Sequence, residues 1–530
     1  MSATTGARIP DVGAVPADAP VAPLRCVSLL RYSPALVFLA IVLADLTRQA
    51  DPDLWWHLRF GQAVLAQHHL ILRDPYSYSA PGHLWLNHEW LTEVLMAALY
   101  DGFGVIGLKL MKFVCIAATI VLFTIAMAET EAPASIQAAI LMVCALPLAP
   151  QNQLRPQMFT FVMVSGLLAI LARYNYRGRA PLWLALPMFA LWSNLHGGWI
   201  IGLGMLGLFS AAVLAEDLAH GHGMSRGASL LGLTAAAAVA TLATPYGIGT
   251  WHAVLHTLGN PRTHTIVEWL SFPDSIAYHY RAHHYGSIIW KFLAVAIFAA
   301  FALAVWRAPR GRDFPLVCVA VMTIAAAFVA VRNLPIALLA TAIPLARHGA
   351  IALNSDIKPQ RERPATIYQL ILAVVACELL FLSGLFSPKL NANDPYPVGA
   401  IAFMKEHGLA GNILAEWPFG AYVIWHMAPA SRVFIDGRYD TVYPQQVIDD
   451  YIAFDRGEPD GATTLHKYPH DFVLMEPVKT GALKLVDSQG GWKELYRDES
   501  CVLFARRASA AASVTPITVS PHDTPANSFP

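Results

Sequence analysis

Charge is what this chain lacks. Only 14% of its 530 residues are Asp, Glu, Lys or Arg, roughly half the share carried by a soluble domain. That scarcity excludes an ordinary water-soluble enzyme as the first reading. Its 36 basic and 36 acidic residues cancel, so there is no cationic footprint for a nucleic-acid partner. Cysteine is scarce as well. Cys26, Cys115, Cys144, Cys318, Cys377 and Cys501 are scattered, mostly in or beside apolar runs, without a C-x-x-C pair, which argues against a disulfide or zinc framework. No repeat of fixed period is present. What the chain has instead is apolar residues, at 56%, with a mean hydropathy of +0.46; the solvent implied is a bilayer.

A helix crossing hydrocarbon needs about 20 mostly apolar residues. Such runs centre on 30–46, 103–128, 134–149, 156–172, 181–195, 197–215, 228–243, 287–306, 314–331, 334–346 and 366–386. The predicted fold class is therefore an α-helical polytopic membrane protein with about eleven spans. Cytoplasmic loops retain Lys and Arg. Arg173, Arg177 and Arg179 follow the fourth span, Arg307, Arg310 and Arg312 the eighth, and Arg347, Lys358, Arg361 and Arg363 the tenth. Even-numbered exits are thus inside and the opposite loops outside. Residues 1–24 are Ala-, Pro- and Asp-rich without a cleavable-signal pattern and are expected to be a disordered cytoplasmic N-terminus. The transmembrane domain covers 25–388, with outer loops at 47–102 and 244–286.

After 388 the pattern changes to that of a small α/β domain, 389–507, expected outside. Val398–Glu406 and Gln446–Phe454 read as helices. Asn412–Glu416, Val433–Asp436 and Phe472–Met475 read as extended, and Glu494–Tyr496 with Cys501–Phe504 as a hairpin. Residues 508–530 are rich in Ala, Ser, Thr and Pro and are expected to be a disordered tail.

Ionisable groups are costly in lipid and gather where water, a partner or a substrate waits. Here they gather in the outer loops. The first holds Asp51-Pro52-Asp53-Leu54-Trp55-Trp56-His57-Leu58-Arg59, then Arg73-Asp74-Pro75-Tyr76, then Asn87-His88-Glu89-Trp90. Others contribute Gln151-Asn152-Gln153-Leu154-Arg155-Pro156, Asn194-Leu195-His196-Gly197-Gly198, Thr244-Pro245-Tyr246-Gly247, Glu268-Trp269 and Arg332-Asn333-Leu334-Pro335. Taken singly, several of these have plain structural readings: interfacial Trp and Tyr anchors, turns at span ends, or close helix packing at the Gly pair. Together they predict one pocket opening outward. His279, His283 and His284 lack a carboxylate at ligand spacing and do not read as a metal site.

An acidic motif soon after the first span, about eleven spans and an outer C-terminal α/β domain resemble the polytopic C-type glycosyltransferases of the GT-C superfold; more narrowly, these motifs, with Phe434-Ile435-Asp436-Gly437-Arg438 downstream, look like a group of bacterial glycosyltransferase-like membrane proteins, over residues of about 25–507. Members include protein mannosyltransferases, lipid A aminoarabinose transferases and oligosaccharyltransferase catalytic subunits. The Trp-Trp-Asp motif of the last group is absent, so asparagine glycosylation is not implied. The resemblance implies a sugar transferred from a polyprenyl-phosphate donor to a glycan, lipid or protein acceptor, at the outer face of a bacterial inner membrane. A carboxylate must take the acceptor's proton, with Asp53 first, Asp51 second and Glu89 third. The departing lipid phosphate needs cationic donors, for which Arg332, Arg155 and Arg59 are candidates, assisted by His57 or His196. Asn87, His88 and Glu268, with Asp436 and Arg438 of the outer domain, stand as acceptor-side or secondary residues. Asp436 and Arg438 also fit a structural ion pair. The resemblance fixes no cofactor: superfold members differ in whether a divalent cation aids the leaving group, and Asp51, Asp53 and Glu89 could supply its ligands.

Two other classes stay open. An O-antigen polymerase or ligase would rely on arginines in a large late loop, where 244–286 holds only Arg262 and Arg281. A transporter or assembly protein would carry charges within its spans, and Lys109, Lys112 and Glu378 are the few found.

Overall fold

The computed structural model describes residues 49–148, 153–260, 263, 266–308, 313–354, 390–392, 396–523 and 528–529. The first and eleventh predicted spans, the N-terminal 24 residues, Cys26, Cys377, Gln151 and Asn152 lie outside them.

The predicted spans from 103 to 346 fall on helices α2 (Trp90–Ala128), α3 (Ala134–Leu148), α4 (Gln157–Arg177), α5 (Ala185–Leu195), α6 (Trp199–Ala219), α7 (Ser225–Ala240), α10 (Tyr285–Arg307), α11 (Phe314–Val329) and α12 (Leu334–Ala352). Short helices α1 (Leu54–Gln67), α8 (Gly249–Gly259) and α9 (Phe272–Arg281) belong to the two long loops. Among the described residues, five stretches are both long and apolar enough to cross a bilayer: Trp90–Ala128, Gln157–Arg177, Trp199–Ala219, Tyr285–Arg307 and Val331–Ala352. The expected eleven crossings are therefore not established. The apolar helices between these stretches, such as α5 and α11, are shorter than a full crossing. Within α2, Gly104 adopts φ 59°, a left-handed break that glycine takes without penalty. It separates a first segment, Trp90–Phe103, from the apolar run behind it, as the loop-then-span reading expects.

Helix direction separates two rims. The N-termini of α2, α4, α6 and α12 meet at one end of the bundle. At the other end, Arg173 and Arg177 of α4 pair with Glu129 at 2.9 Å each, and Arg347 of α12 donates to the Thr130 carbonyl. There Tyr176 donates to Asp313 (2.7 Å), with His348 beside it. The arginine-rich loops thus share one end and the polar loop motifs the other.

The C-terminal domain is built on a sheet of β3 (Asn412–Ala415), β4 (Arg432–Val433), β5 (Phe472–Met475), β6 (Trp492–Arg497), β7 (Val502–Arg506) and β8 (Ile517–Thr518) in the order β4-β3-β5-β7-β6-β8. β3 runs parallel to β4 and β5, while β6 and β7 form the antiparallel pair expected as a hairpin. α13 (Val398–Glu406) and α15 (Gln445–Asp455) match the predicted helices. Helices α14 (Trp417–Met427), α16 (Gly461–Lys467) and α17 (Thr480–Ser488) were not among them. α14 carries Pro418 at its first turn, where a missing N–H is harmless. It is buried nearly all round, from Phe419 through Ile424 and at Met427, so it lacks the one-sided periodicity that marks a helix in sequence.

The tail also departs from expectation. Instead of disorder, Ile517–Thr518 pairs in parallel with Tyr496–Arg497, and Lys493 Nζ donates to the carbonyls of Ala512 and Val514 at 2.6 and 3.0 Å. The open edge of β6 offers backbone partners that composition alone cannot reveal.

The loop before α2 is packed into this domain. Val433 N–H donates to the Tyr76 carbonyl (3.0 Å) and Tyr78 N–H to the Val433 carbonyl (3.2 Å), extending the sheet edge. Trp55, Phe60 and Trp85 share one core with Phe419, Phe434 and Val433. β1 (Gln49–Ala50) pairs in parallel with β2 (Leu390–Ala392). Loop and domain form one body above the helix ends.

Candidate active site

Where that body meets the helix ends lies a partly open cavity of about 490 Å³. Its walls come from the first loop (Asp53, Trp56, His57, Asn87, His88, Glu89), the starts of α4 and α6 (Arg155, His196), the late loops (Glu268, Trp269, Arg332) and the C-terminal domain (Trp417, Gly437, Tyr439, Asp440). Segments more than 300 residues apart in sequence thus face one void.

Asp53 precedes the first turn of α1. Its backbone N–H donates to Asp51 Oδ1 (3.0 Å), a local turn that leaves Asp51 beneath the cavity and Asp53 in its wall. Burial pushes Asp51 up to about 7, although Arg155 acts in the opposite direction. A Cβ on Gly437 would collide with the Asp53 carboxylate, so glycine there lets the domain close over the acid.

Arg155 is the hub of one side. It reaches Asp53 Oδ2 at 2.5 Å, Glu268 Oε2 at 2.8 Å and Asp51 Oδ1 at 3.5 Å. Burial alone would raise Glu268, yet the charges of Arg155 and Arg332 outweigh it and hold this carboxyl below its usual range. Arg332 is engaged differently. Its guanidinium stacks over Trp269 at 4.3 Å and stands 3.7 Å from Glu268 Oε1, too far for a hydrogen bond. Its donors are free to meet an anion in the cavity.

Glu89 lies on the other side, at the start of α2. Trp90 Nε1 donates to Asn194 (3.0 Å) and Thr92 to the Leu195 carbonyl (2.7 Å), tying that helix start to the α5–α6 turn. Glu89 Oε1 is 3.5 Å from His196 Nε2 and 3.7 Å from His88 Nε2. Burial pushes its carboxyl up to about 7, against the pull of Arg155 and Arg332. Gly198 N–H donates to His196 Nδ1 (2.9 Å), and Thr160 Oγ1, which accepts from Trp192 Nε1, sits 2.8 Å from the same nitrogen. An accepting Nδ1 leaves the proton on Nε2, so this ring presents an N–H to Glu89 and the cavity. Burial first, then Arg332, holds His196 well below the ordinary imidazole range, and the same two causes bring His88 to about 4. Both are neutral at pH 7. The tight Gly197-Gly198 turn is required here, since a Cβ on Gly198 would strike Thr160.

His57 lies against Trp56 with ring centroids 3.8 Å apart and planes tilted by 35°, and its Nδ1 is 2.9 Å from Glu93 Oε1. Asn87 accepts from Glu89 N–H (3.0 Å) through Oδ1 and donates to Glu93 Oε2 through its amide. Glu93 was not a sequence candidate; the signal that could have found it is its i+4 spacing from Glu89, which places both on one helix face.

Besides Asp51, two candidates lie outside the cavity lining, and a third lines it with its donors already matched. Arg59 points to the back of α1, where it donates to the Ala428 carbonyl (3.2 Å). Asp436 is fully buried and outside the lining, while Arg438 is one of the residues lining the cavity, with its donors already engaged. Arg438 donates to Asp436 (2.8 and 2.6 Å) and to Asp74 (2.7 Å), and stacks over Trp85 at 4.7 Å. This is a brace joining the outer domain to the first loop.

For a cation, the donors that converge among the described residues are His57, Glu89 and Glu93, whose ligand atoms lie within 4.8 Å of one another. Both oxygens of Glu93 and Nδ1 of His57 are already engaged with each other and with Asn87. Asp51 and Asp53, the other expected ligands, are held by Arg155. The set does not fit a metal as arranged, and no step below runs through one.

No protein-family model matches the chain and no curated protein matches its sequence. Its fold is similar to that of the oligosaccharyltransferase AglB from Archaeoglobus fulgidus, solved with an inhibitory peptide and a dolichol-phosphate, at 14% identity and TM-score 0.48 over 94% of this chain and 75% of that one. ArnT from Cupriavidus metallidurans, bound to undecaprenyl phosphate, aligns at 13% identity and TM-score 0.44 over 91% and 98% of the two chains. Arabinofuranosyltransferase AftD from Mycobacteria aligns at 15% and 0.48, covering 90% of this chain and 41% of its own.

Proposed function

We propose that this chain is a membrane glycosyltransferase that moves a sugar from a polyprenyl-phosphate-linked donor to an acceptor hydroxyl, at the outer face of a bacterial inner membrane. The observation that carries the reading is the cavity itself. It brings carboxylates with acceptor capacity and a guanidinium with donor capacity into one void at the helix ends. The arginine-rich loops at the opposite rim support the outward orientation.

The chemistry needs a base for the attacking hydroxyl and cationic donors for the leaving phosphate. Geometry reorders the candidate bases. Asp53 has one oxygen on Arg155 and the other on Trp56 Nε1 (3.2 Å), so its lone pairs are largely occupied. Asp51 does not reach the cavity wall. Glu89 has only long contacts to two neutral imidazoles and an affinity for protons near neutrality, as a general base requires. In this mechanism Glu89 removes the hydroxyl proton, Asp53 keeps Arg155 aligned, and Arg332 with the Nε2–H of His196 receives the phosphate. Trp269 and Trp417 offer flat faces for sugar or prenyl groups.

The test uses the full chain in lipid nanodiscs with a panel of undecaprenyl-phosphate hexoses and pentoses, read as sugar transfer or donor hydrolysis. Wild type should turn over at least one donor, and Glu89→Gln should lose about 10²–10⁴-fold in rate. Full turnover in a folded Glu89→Gln protein returns the role to Asp53. Absence of any turnover or polyprenyl-phosphate binding by wild type refutes the transferase reading.

A further inference from the structure

The wall that the C-terminal domain gives to the cavity has no part in that mechanism beyond the face of Trp417. It comes from the carboxyl ends of two adjacent parallel strands. β3 ends at Ala415 and passes through Glu416 into Trp417 at the start of α14, while β4 ends at Val433 and runs on to Gly437–Thr441. β5 lies on the other side of β3. The strand order therefore reverses at β3, and open α/β sheets hold ligands outside the carboxyl ends of their strands at such a point.

Two aromatics are fixed there. Trp417 N–H donates to the Tyr451 hydroxyl (2.7 Å), and its ring packs on Tyr439 at 4.6 Å and meets Tyr451 edge-on at 5.9 Å. Tyr439 adopts φ 44°, a left-handed backbone that is costly for a tyrosine and persists only where the surroundings impose it. Beside them stands Asp440, its side chain 5% exposed. Thr257 Oγ1 and Asn260 Nδ2 donate to it at 3.4 and 3.3 Å, and His256 Nδ1 is 3.6 Å away. All three distances exceed those of ordinary hydrogen bonds. Burial pushes this carboxyl up, and the neighbours that lower it do not cancel the effect. Asp440 thus has capacity left for a further hydroxyl donor.

Resting on the transferase reading above, we propose that this ledge is the acceptor subsite and that the acceptor is a neutral saccharide, its ring lying on Trp417 and its hydroxyls donating to Asp440. The chemistry of the wall selects among acceptors. A lipid needs an apolar path, and the aliphatic lining (Ile200, Ile201, Val254, Leu258, Ala326) comes from the helix side, whereas the ledge contributes no aliphatic side chain. A peptide added as a strand needs an open sheet edge, and the edge of β4 is already paired with Tyr76 and Tyr78. An anionic acceptor would meet Asp440, while the guanidinium of this wall, Arg438, is matched by Asp74 and Asp436. A sugar ring supplies what the ledge can use: a C–H face for an aromatic and O–H donors for a carboxylate. In the transfer, the saccharide O–H bond breaks and its proton goes to Glu89. Its oxygen bonds to the anomeric carbon of the donor, and polyprenyl phosphate leaves with the electron pair.

Two measurements test this. Full-length protein in nanodiscs, without donor, is titrated with neutral trisaccharides of glucose, galactose, mannose and xylose, read by saturation-transfer NMR. At least one should bind. Trp417→Ala and Asp440→Asn should each weaken that binding about tenfold, and Trp417→Phe, which keeps a flat face, should retain most of it. Binding of none by the wild type overturns the proposal, and so does unchanged binding in folded Asp440→Asn and Trp417→Ala proteins. In the donor assay, the saccharide that binds should accept the sugar, with its KM raised about tenfold in Asp440→Asn and kcat changed less. Transfer to a lipid or peptide acceptor but to no saccharide also overturns it. Failure of wild type to turn over any donor counts against the transferase reading instead, and the titration still decides whether the ledge holds a saccharide.

Discussion

The molecule buries guanidinium groups beside carboxylates in two neighbouring places, and they differ in what they leave over. At the brace, Arg438 meets Asp74 and Asp436 through three short hydrogen bonds and lies against Trp85, in packed surroundings. In the cavity, Arg332 meets Glu268 only at 3.7 Å and Glu89 meets its histidines only at 3.5 and 3.7 Å. Buried charge by itself therefore does not mark a site. Charge with unused hydrogen-bonding capacity, aimed at a void, does. Arg155 stands between the two, facing the cavity yet matched by Asp53 and Glu268.

The sharpest break between the regions is Arg332→Ala. Removing one donor for the leaving phosphate should cost about 10²–10³-fold in turnover while thermal unfolding in detergent stays near wild type; a large loss of stability with intact turnover would reverse the contrast. Arg438→Ala should do the opposite. It leaves Asp74 and Asp436 buried without their partner, a destabilisation of about 3–5 kcal/mol, read as early unfolding or proteolysis of the C-terminal domain. A third measurement follows the pH dependence of kcat/KM. Glu89 must be ionised to act as base and its proton affinity sits at about 7, so the rate should fall about tenfold for each pH unit below that value. A profile flat down to pH 5 would exclude Glu89. The smallest effect is expected at Arg59, whose contact is the Ala428 carbonyl at the back of α1; Arg59→Ala should leave turnover within about twofold, as surface substitutions away from a site do.

Much of the site was readable because residue type and side of the membrane are correlated. Asp53, His57, Glu89, Arg155, His196, Glu268 and Arg332 were all picked out as polar groups at outer span ends, and all line the same cavity. Misplacements came where direction mattered. Arg59 is six residues after Asp53, and at about 100° per residue it points about 120° away from it, to the Ala428 carbonyl. Glu93 was overlooked because an acid three residues into a 39-residue apolar helix reads as the flank of a span. Its contact with His57, 36 residues earlier, exists only in the folded chain.

Apolar run lengths, the asymmetry of arginine between loops and the alternation beyond residue 388 were local properties, so bilayer, rim and domain could be inferred from the order of residues alone. Which acid is free and which is matched could not, because that depends on distances between chain segments. Asp74 and Arg438 are separated by 364 positions and meet at 2.7 Å. Hydrogen bonding decays over a few tenths of an ångström, so only the folded arrangement could divide one set of similar residues into a brace and a reactive cavity.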